Sequence, residues 1–165
     1  MTVKVVRAQW LHFSQVAVYA SDGDGSNIAA GKAASCFGER RGGEQPGFKT
    51  SLASYAVDGV LRPRGYGSPN DDTVGIYHSL ESSGDNYWTV DLGGEFAVNR
   101  VVFYNRRDGG GNVEGRAVDY ILQLSDGDKI TVWQTPLRRD SVQTFAVSVS
   151  GASVPADNPA SSPPP

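Results

Sequence analysis

The sequence predicts an all-β sandwich, and three observations carry that prediction. Short runs of β-branched and aromatic residues recur along the chain. Turn-forming residues separate them, and no window sustains helical periodicity beyond about two turns. Twenty glycines and nine prolines in 165 residues supply the punctuation that so many turns need. Short strands at this spacing suggest a sandwich or barrel, not a parallel sheet with crossover helices.

The elements follow in order. Val3–Ala8 and Gln15–Tyr19 gather β-branched residues, and Ser21–Ser26 is turn chemistry just after them. Residues Ala30–Asn86 form a long stretch rich in Gly, Ser, Asp and Pro, with only Ser51–Val60 apolar enough for a short core-facing element. A stretch of that length inside a domain is functional or disordered, and the return of a strand pattern at Tyr87-Trp88 favours function. Trp88–Leu92 alternates apolar and polar before Gly93-Gly94, and Arg100–Tyr104 is strongly β-prone. Tyr120–Leu124, Ile130–Trp133 and Thr144–Val149 complete the strands. The terminal VPADNPASSPPP has too few bulky apolar groups to offset the entropy of ordering, so residues 1–152 are the expected domain and 153–165 a Pro/Ser-rich flexible tail or linker.

Composition narrows the function. A net charge of −3 gives no general electrostatic reason to bind nucleic acid. Cys36 is the only cysteine, so an intramolecular disulfide is excluded; a small buried hydrophobe is its expected role. His12 and His78 form no recognised zinc spacing with it. The first residues lack an apolar run of signal-peptide type, and no run of 18 or more apolar residues predicts a membrane span.

A family pattern emerges from five segments taken in order. These are Asn27-Ile-Ala-Ala-Gly-Lys32, Tyr55-Ala-Val-Asp-Gly59, Tyr77-His-Ser79, Tyr87-Trp-Thr-Val-Asp-Leu-Gly93 and the run Val98–Asp108, which ends Tyr-Asn-Arg-Arg-Asp. Together they resemble the discoidin, or coagulation-factor type C, superfamily of galactose-binding-like jelly rolls, and within it the fucose-binding F-type lectins. The resemblance spans roughly Ala17 to Leu124 and implies a jelly-roll β-sandwich with long loops at one end. The lectin pattern places a His before an Arg-x-Asp and a further basic residue after it. Here 28 positions separate His78 from Arg106 and eight separate Asp108 from Arg116, each a few residues more than in the pattern. Gly109–Gly111 stand where that family often has paired cysteines.

Carried over, the resemblance implies that His78, Arg106 and Arg116 hydrogen-bond a sugar and that Asp108 holds an arginine in place. These residue types suit sugar hydroxyls, because hydrogen bonds from charged donors are short and strong, and a guanidinium offers several in a rigid fork. An aromatic wall would complete the site, with Tyr77, Tyr66 or Phe37 as candidates. The resemblance also implies one structural Ca²⁺ near the A-x-D-G turn, with Asp58 as its carboxylate. Asp22, Asp24, Asp126 and Asp128 lie in Asp-Gly-Asp loops that read as plain turns. Trp88 and Asp91 read as structural, and Asn105 as a residue that satisfies turn backbone groups. Bland readings compete: His78 as an exposed loop residue, and Arg106, Arg107 and Asp108 as a weak surface ion pair.

No nucleophile elbow, phosphate loop or metalloprotease helix is present, and no carboxylate pair stands out for glycoside hydrolysis. The expected function is thus non-catalytic carbohydrate binding, with glycans or glycoproteins as partners, multivalent display in a larger assembly, and a place on an extracellular or virion surface. The rival is a structural or protein-interaction sandwich, such as a surface-coat or virion decoration domain.

Overall fold

In the computed structural model the described residues are 1–38, 51–61, 76–79, 86–106, 115 and 117–148. Ten strands are described among them, with one 3-10 helix. Strand β1 (Thr2–Arg7) shows how the sheet arises: Val3 and Val5 point inward and are fully buried, while Lys4 and Val6 take the opposite face. Its antiparallel neighbours repeat the rhythm. β6 (Asn86–Asp91) buries Trp88 and Val90, and β8 (Ile121–Ser125) buries Leu122 and Leu124. With β4 (Ala34–Cys36) and β9 (Thr131–Pro136) at the edges, they make a five-stranded sheet in the order β4-β6-β1-β8-β9.

A second sheet has the order β10-β7-β3, built from β3 (Gln15–Ala20), β7 (Val98–Tyr104) and β10 (Val142–Ala146). Val16, Val18, Val101 and Phe103 of this sheet share one apolar cluster with Val5, Trp88 and Leu122 of the first. That cluster is the core between two antiparallel layers, as the sequence leads one to expect. A two-stranded ladder, β2 (His12–Phe13) with β5 (Tyr77–His78), closes one end.

The motifs explain local geometry. Asn27 accepts hydrogen bonds at Oδ1 from the Val18 and Ala29 amides (2.9 and 3.1 Å), which fixes the chain where it leaves β3. The apolar segment at 51–60 forms the 3-10 helix η1 (Ala53–Val57), whose Ala53, Ala56 and Val57 enter the core. The Trp88 indole donates to Ala53 O at 2.9 Å, so the structural role expected of Trp88 is the one observed. Asp91 accepts from the Gly93 amide, and Gly93 has φ of +80°, the left-handed region where glycine carries no Cβ penalty.

Some boundaries differ from expectation. β10 begins at Val142, two residues before the predicted start, and β2, β4 and β5 do not follow from the sequence pattern. Two or three residues hold too little periodicity to be read locally; their pairing comes from tertiary neighbours. Cys36 is half-buried against the core and not in it. The expected tail, residues 153–165, lies outside the described residues.

Candidate functional site

The end of the sandwich that carries β2 and β5 gathers the polar and aromatic groups of interest. His12 and His78 are cross-strand partners, and their rings lie 5.3 Å apart. Trp10 meets His78 edge-on at 5.2 Å. The ladder continues one residue further: Ser79 N donates to Leu11 O at 2.8 Å, and the Ser79 hydroxyl accepts from the Leu11 amide at 2.9 Å. His78 is therefore a strand residue, 6 % exposed, and not an exposed loop histidine.

Its tautomer is fixed by a neighbour. Nδ1 lies 2.8 Å from Ser79 O, and a carbonyl oxygen can only accept, so Nδ1 carries a proton. In the neutral ring Nε2 is then the acceptor nitrogen, suited to a hydroxyl donor.

Tyr120 ties the cluster together. Its hydroxyl accepts from the His12 amide at 3.2 Å and faces the carbonyls of Trp10 and His12 at 3.3 and 3.4 Å, to either of which it can donate. The Arg7 guanidinium sits over the Tyr120 ring at 4.9 Å and donates to Trp10 O at 2.7 Å. Burial pushes the Tyr120 phenol above its ordinary value. The His12 hydrogen bond and the positive charges of Arg7 and Arg106 pull the other way, with smaller effect. Arg106 thus lies within electrostatic reach of Tyr120, and it is 9 % exposed. Asn105 positions it: Asn105 Oδ1 accepts from the Arg106 amide at 2.8 Å, while the Asn105 amide donates to Ser141 O at 2.9 Å.

The sequence-predicted residues distribute unevenly. His78 and Arg106 come to one end of the sandwich. Arg116, Asp108, Arg107 and Tyr66 lie outside the described residues. Tyr77 is a correction: strand alternation turns it away from His78 into the core, where it is fully buried and packs on Phe13 at 5.4 Å. Phe37 is no wall for His78 either. It is 59 % exposed and packs on Tyr87 at 6.4 Å. The aromatic group beside His78 is Trp10, which sequence reasoning misses along with His12, Arg7 and Tyr120. A visible signal is the Trp-Leu-His triplet at 10–12, placed between two strand-forming runs without belonging to either.

Asp58 holds the turn after η1. Its Oδ1 accepts from Gln15 Nε2 and from the Val60 amide, both at 2.8 Å, while Gly59 takes φ of +79°. Among the described residues no three His, Cys, Asp or Glu side chains are grouped for a metal ion. The loops at Asp24 and Asp126 are turns held by their own carboxylates, which accept from the Ser26 and Ile130 amides at 2.8 Å.

A family model described as the NedA-like, galactose-binding domain of F5/F8 type C matches residues 55–154, well over half of the chain. The chain belongs to this F5/F8 type C family. No curated protein and no solved structure matches the chain. The matched stretch of this galactose-binding-like domain contains His78, Arg106 and Tyr120; Arg7, Trp10 and His12, which complete the cluster, precede it. No helix among the described residues is long and apolar enough to cross a membrane.

Proposed function

We propose that this F5/F8 type C domain binds carbohydrate, without catalysis, at the end of the sandwich where His78, Arg106 and Trp10 converge. The observation that carries the reading is the Tyr120-centred cluster. It brings a fixed imidazole acceptor on β5 against an indole, with the Arg106 guanidinium within electrostatic reach of Tyr120, and the packed strands on either side hold that geometry. A pyranose offers what such a set recognises: hydroxyls for His78 and Arg106, and a weakly apolar face for Trp10. Arg116 and Asp108 are the further polar partners of this reading, and fucose- or galactose-type sugars are its expected ligands. A structural calcium at Asp58 belongs to the same proposal; its other ligands would be carbonyl oxygens of the surrounding loops. Display on an extracellular or virion surface, in several copies, would raise a weak single-site affinity by avidity.

The test is a glycan array and thermal-shift screen of the full chain, with and without Ca²⁺, beside the His78→Ala/Arg106→Ala double variant. Sugar binding that raises the melting temperature and is lost in a still-folded variant supports the reading. No binding to any glycan sinks it, and a protein-interaction sandwich is then the better account. A melting temperature that rises with Ca²⁺ in the wild type but not in Asp58→Ala supports the calcium site; no rise in either removes it.

A further inference from the structure

The outer face of the five-stranded sheet carries an ordered pattern that the end site does not use. Across the strands, Val6 pairs with Tyr87 on one side and Ile121 on the other, and Ile121 pairs with Pro136. Beyond Tyr87 the ring of Phe37 continues the line, its amide bonded to Tyr87 O. One row of the face is thus apolar and aromatic from edge to edge. The next row is polar throughout: Ser35, Thr89, Lys4, Gln123 and Gln134 stand side by side, and Gln123 Nε2 donates to Gln134 Oε1 at 3.2 Å.

At the centre of these rows is a cavity of about 430 Å³. Lys4, Tyr87 and Gln123 line it, together with Arg7, Asn86 and Asp119 from the adjoining ends of the strands. One feature there is costly for structure alone: Asp119 takes φ of +65°, an uncommon conformation for a residue with a Cβ.

We propose that this face is a groove for an extended glycan, lying across the strands with its sugar faces on the Phe37–Tyr87–Val6–Ile121 row and its hydroxyls toward the Lys4–Gln123 row. The proposal rests on the carbohydrate-binding reading and extends it from a single sugar to a chain. Five strands set side by side span roughly 19 Å from first to last, which suits an oligosaccharide and far exceeds a monosaccharide. Alternating apolar faces and equatorial hydroxyls match one greasy row beside one row of amides, hydroxyls and an ammonium. A protein partner that buried the same face would leave those amides in need of partners. The Lys4 ammonium, 5.1 Å from the centre of the Tyr87 ring, sits on a flexible stem and can turn to a hydroxyl when a sugar takes its place. Arg7 joins the two sites, because it lines the cavity and also covers Tyr120.

Isothermal titration of the full chain with linear galactose-, glucose- and fucose-containing tetrasaccharides, and with the corresponding monosaccharides, tests this. At least one tetrasaccharide should bind ten or more times more tightly than its monosaccharide. Phe37→Ala and Gln123→Ala should each weaken the tetrasaccharide by about tenfold, the loss of one ring or amide contact, and leave monosaccharide binding as it was. Equal affinity for the two lengths overturns the groove, as does tetrasaccharide binding that His78→Ala abolishes and Phe37→Ala leaves untouched. Tetrasaccharide binding that needs Phe37 and Gln123 but not His78 keeps the groove and removes the end site. No saccharide binding of any length overturns both.

Discussion

Two aromatic clusters meet at Phe103, one inside the core and one at its polar margin. On one side Phe13 packs edge-on or tilted against Tyr77, Trp88 and Phe103 at 5.2 to 5.4 Å, in the middle of the core. On the other, Tyr120 lies 6.4 Å from Phe103 and 6.3 Å from His12, with Arg7 over its ring. The ring geometry is similar in both. The difference is that two imidazoles and two guanidinium groups join the rings of the second. The sandwich thus keeps one packing style from its core to this end while exchanging apolar rings for imidazoles and guanidinium groups.

Breaking the first cluster should cost most. Trp88→Ala removes a fully buried indole and the donor to Ala53 O, and should lower stability by about 3–5 kcal/mol, read from the urea midpoint. If His78→Ala cost as much, the end cluster would be core in function as well as style, and the contrast would fail.

The second cluster should respond in smaller steps. Tyr120→Phe keeps the ring but leaves the buried His12 amide without its acceptor, at a cost of about 1–3 kcal/mol. The same variant sharpens the comparison through pH. A phenol whose ionisation is resisted by burial holds its proton more tightly in the folded state. Its stabilising contribution is intact below the ordinary tyrosine value of about 10 and is lost as pH rises through the higher folded value. Wild-type stability should therefore fall on the alkaline side more steeply than that of Tyr120→Phe; parallel curves would show that Tyr120 is not the group responsible. Outside both clusters, Asp126→Ala should cost only about 0.5–1 kcal/mol and leave the proposed sugar binding unchanged, since Asp126 serves a turn.

The long strands are readable in the sequence and the site only half so. β1, β6 and β8 declare themselves because side chains alternate over five or six residues, as Val3 and Val5 do against Lys4, and β3 and β7 because β-branched and aromatic residues run together in them. β2 and β5 do not, since a two-residue strand has no period, and those two strands place His12 beside His78. The family pattern reaches His78 and Arg106 but not Trp10 or Arg7, whose roles depend on what folds against them. Tyr77 escapes for the same reason: its facing inward follows from pairing with Phe13, a contact 64 residues away in sequence.

Strand β1 sits at the centre of the large sheet, yet its partners lie near residues 90 and 124. During synthesis β1 is therefore fully paired only after residues 121–125 have been made, and until then it presents Val3, Val5 and Val6 with at least one edge open. Closing such distant pairs is slow. The central strand of the large sheet thus depends on the late segment 121–125 to close its second edge.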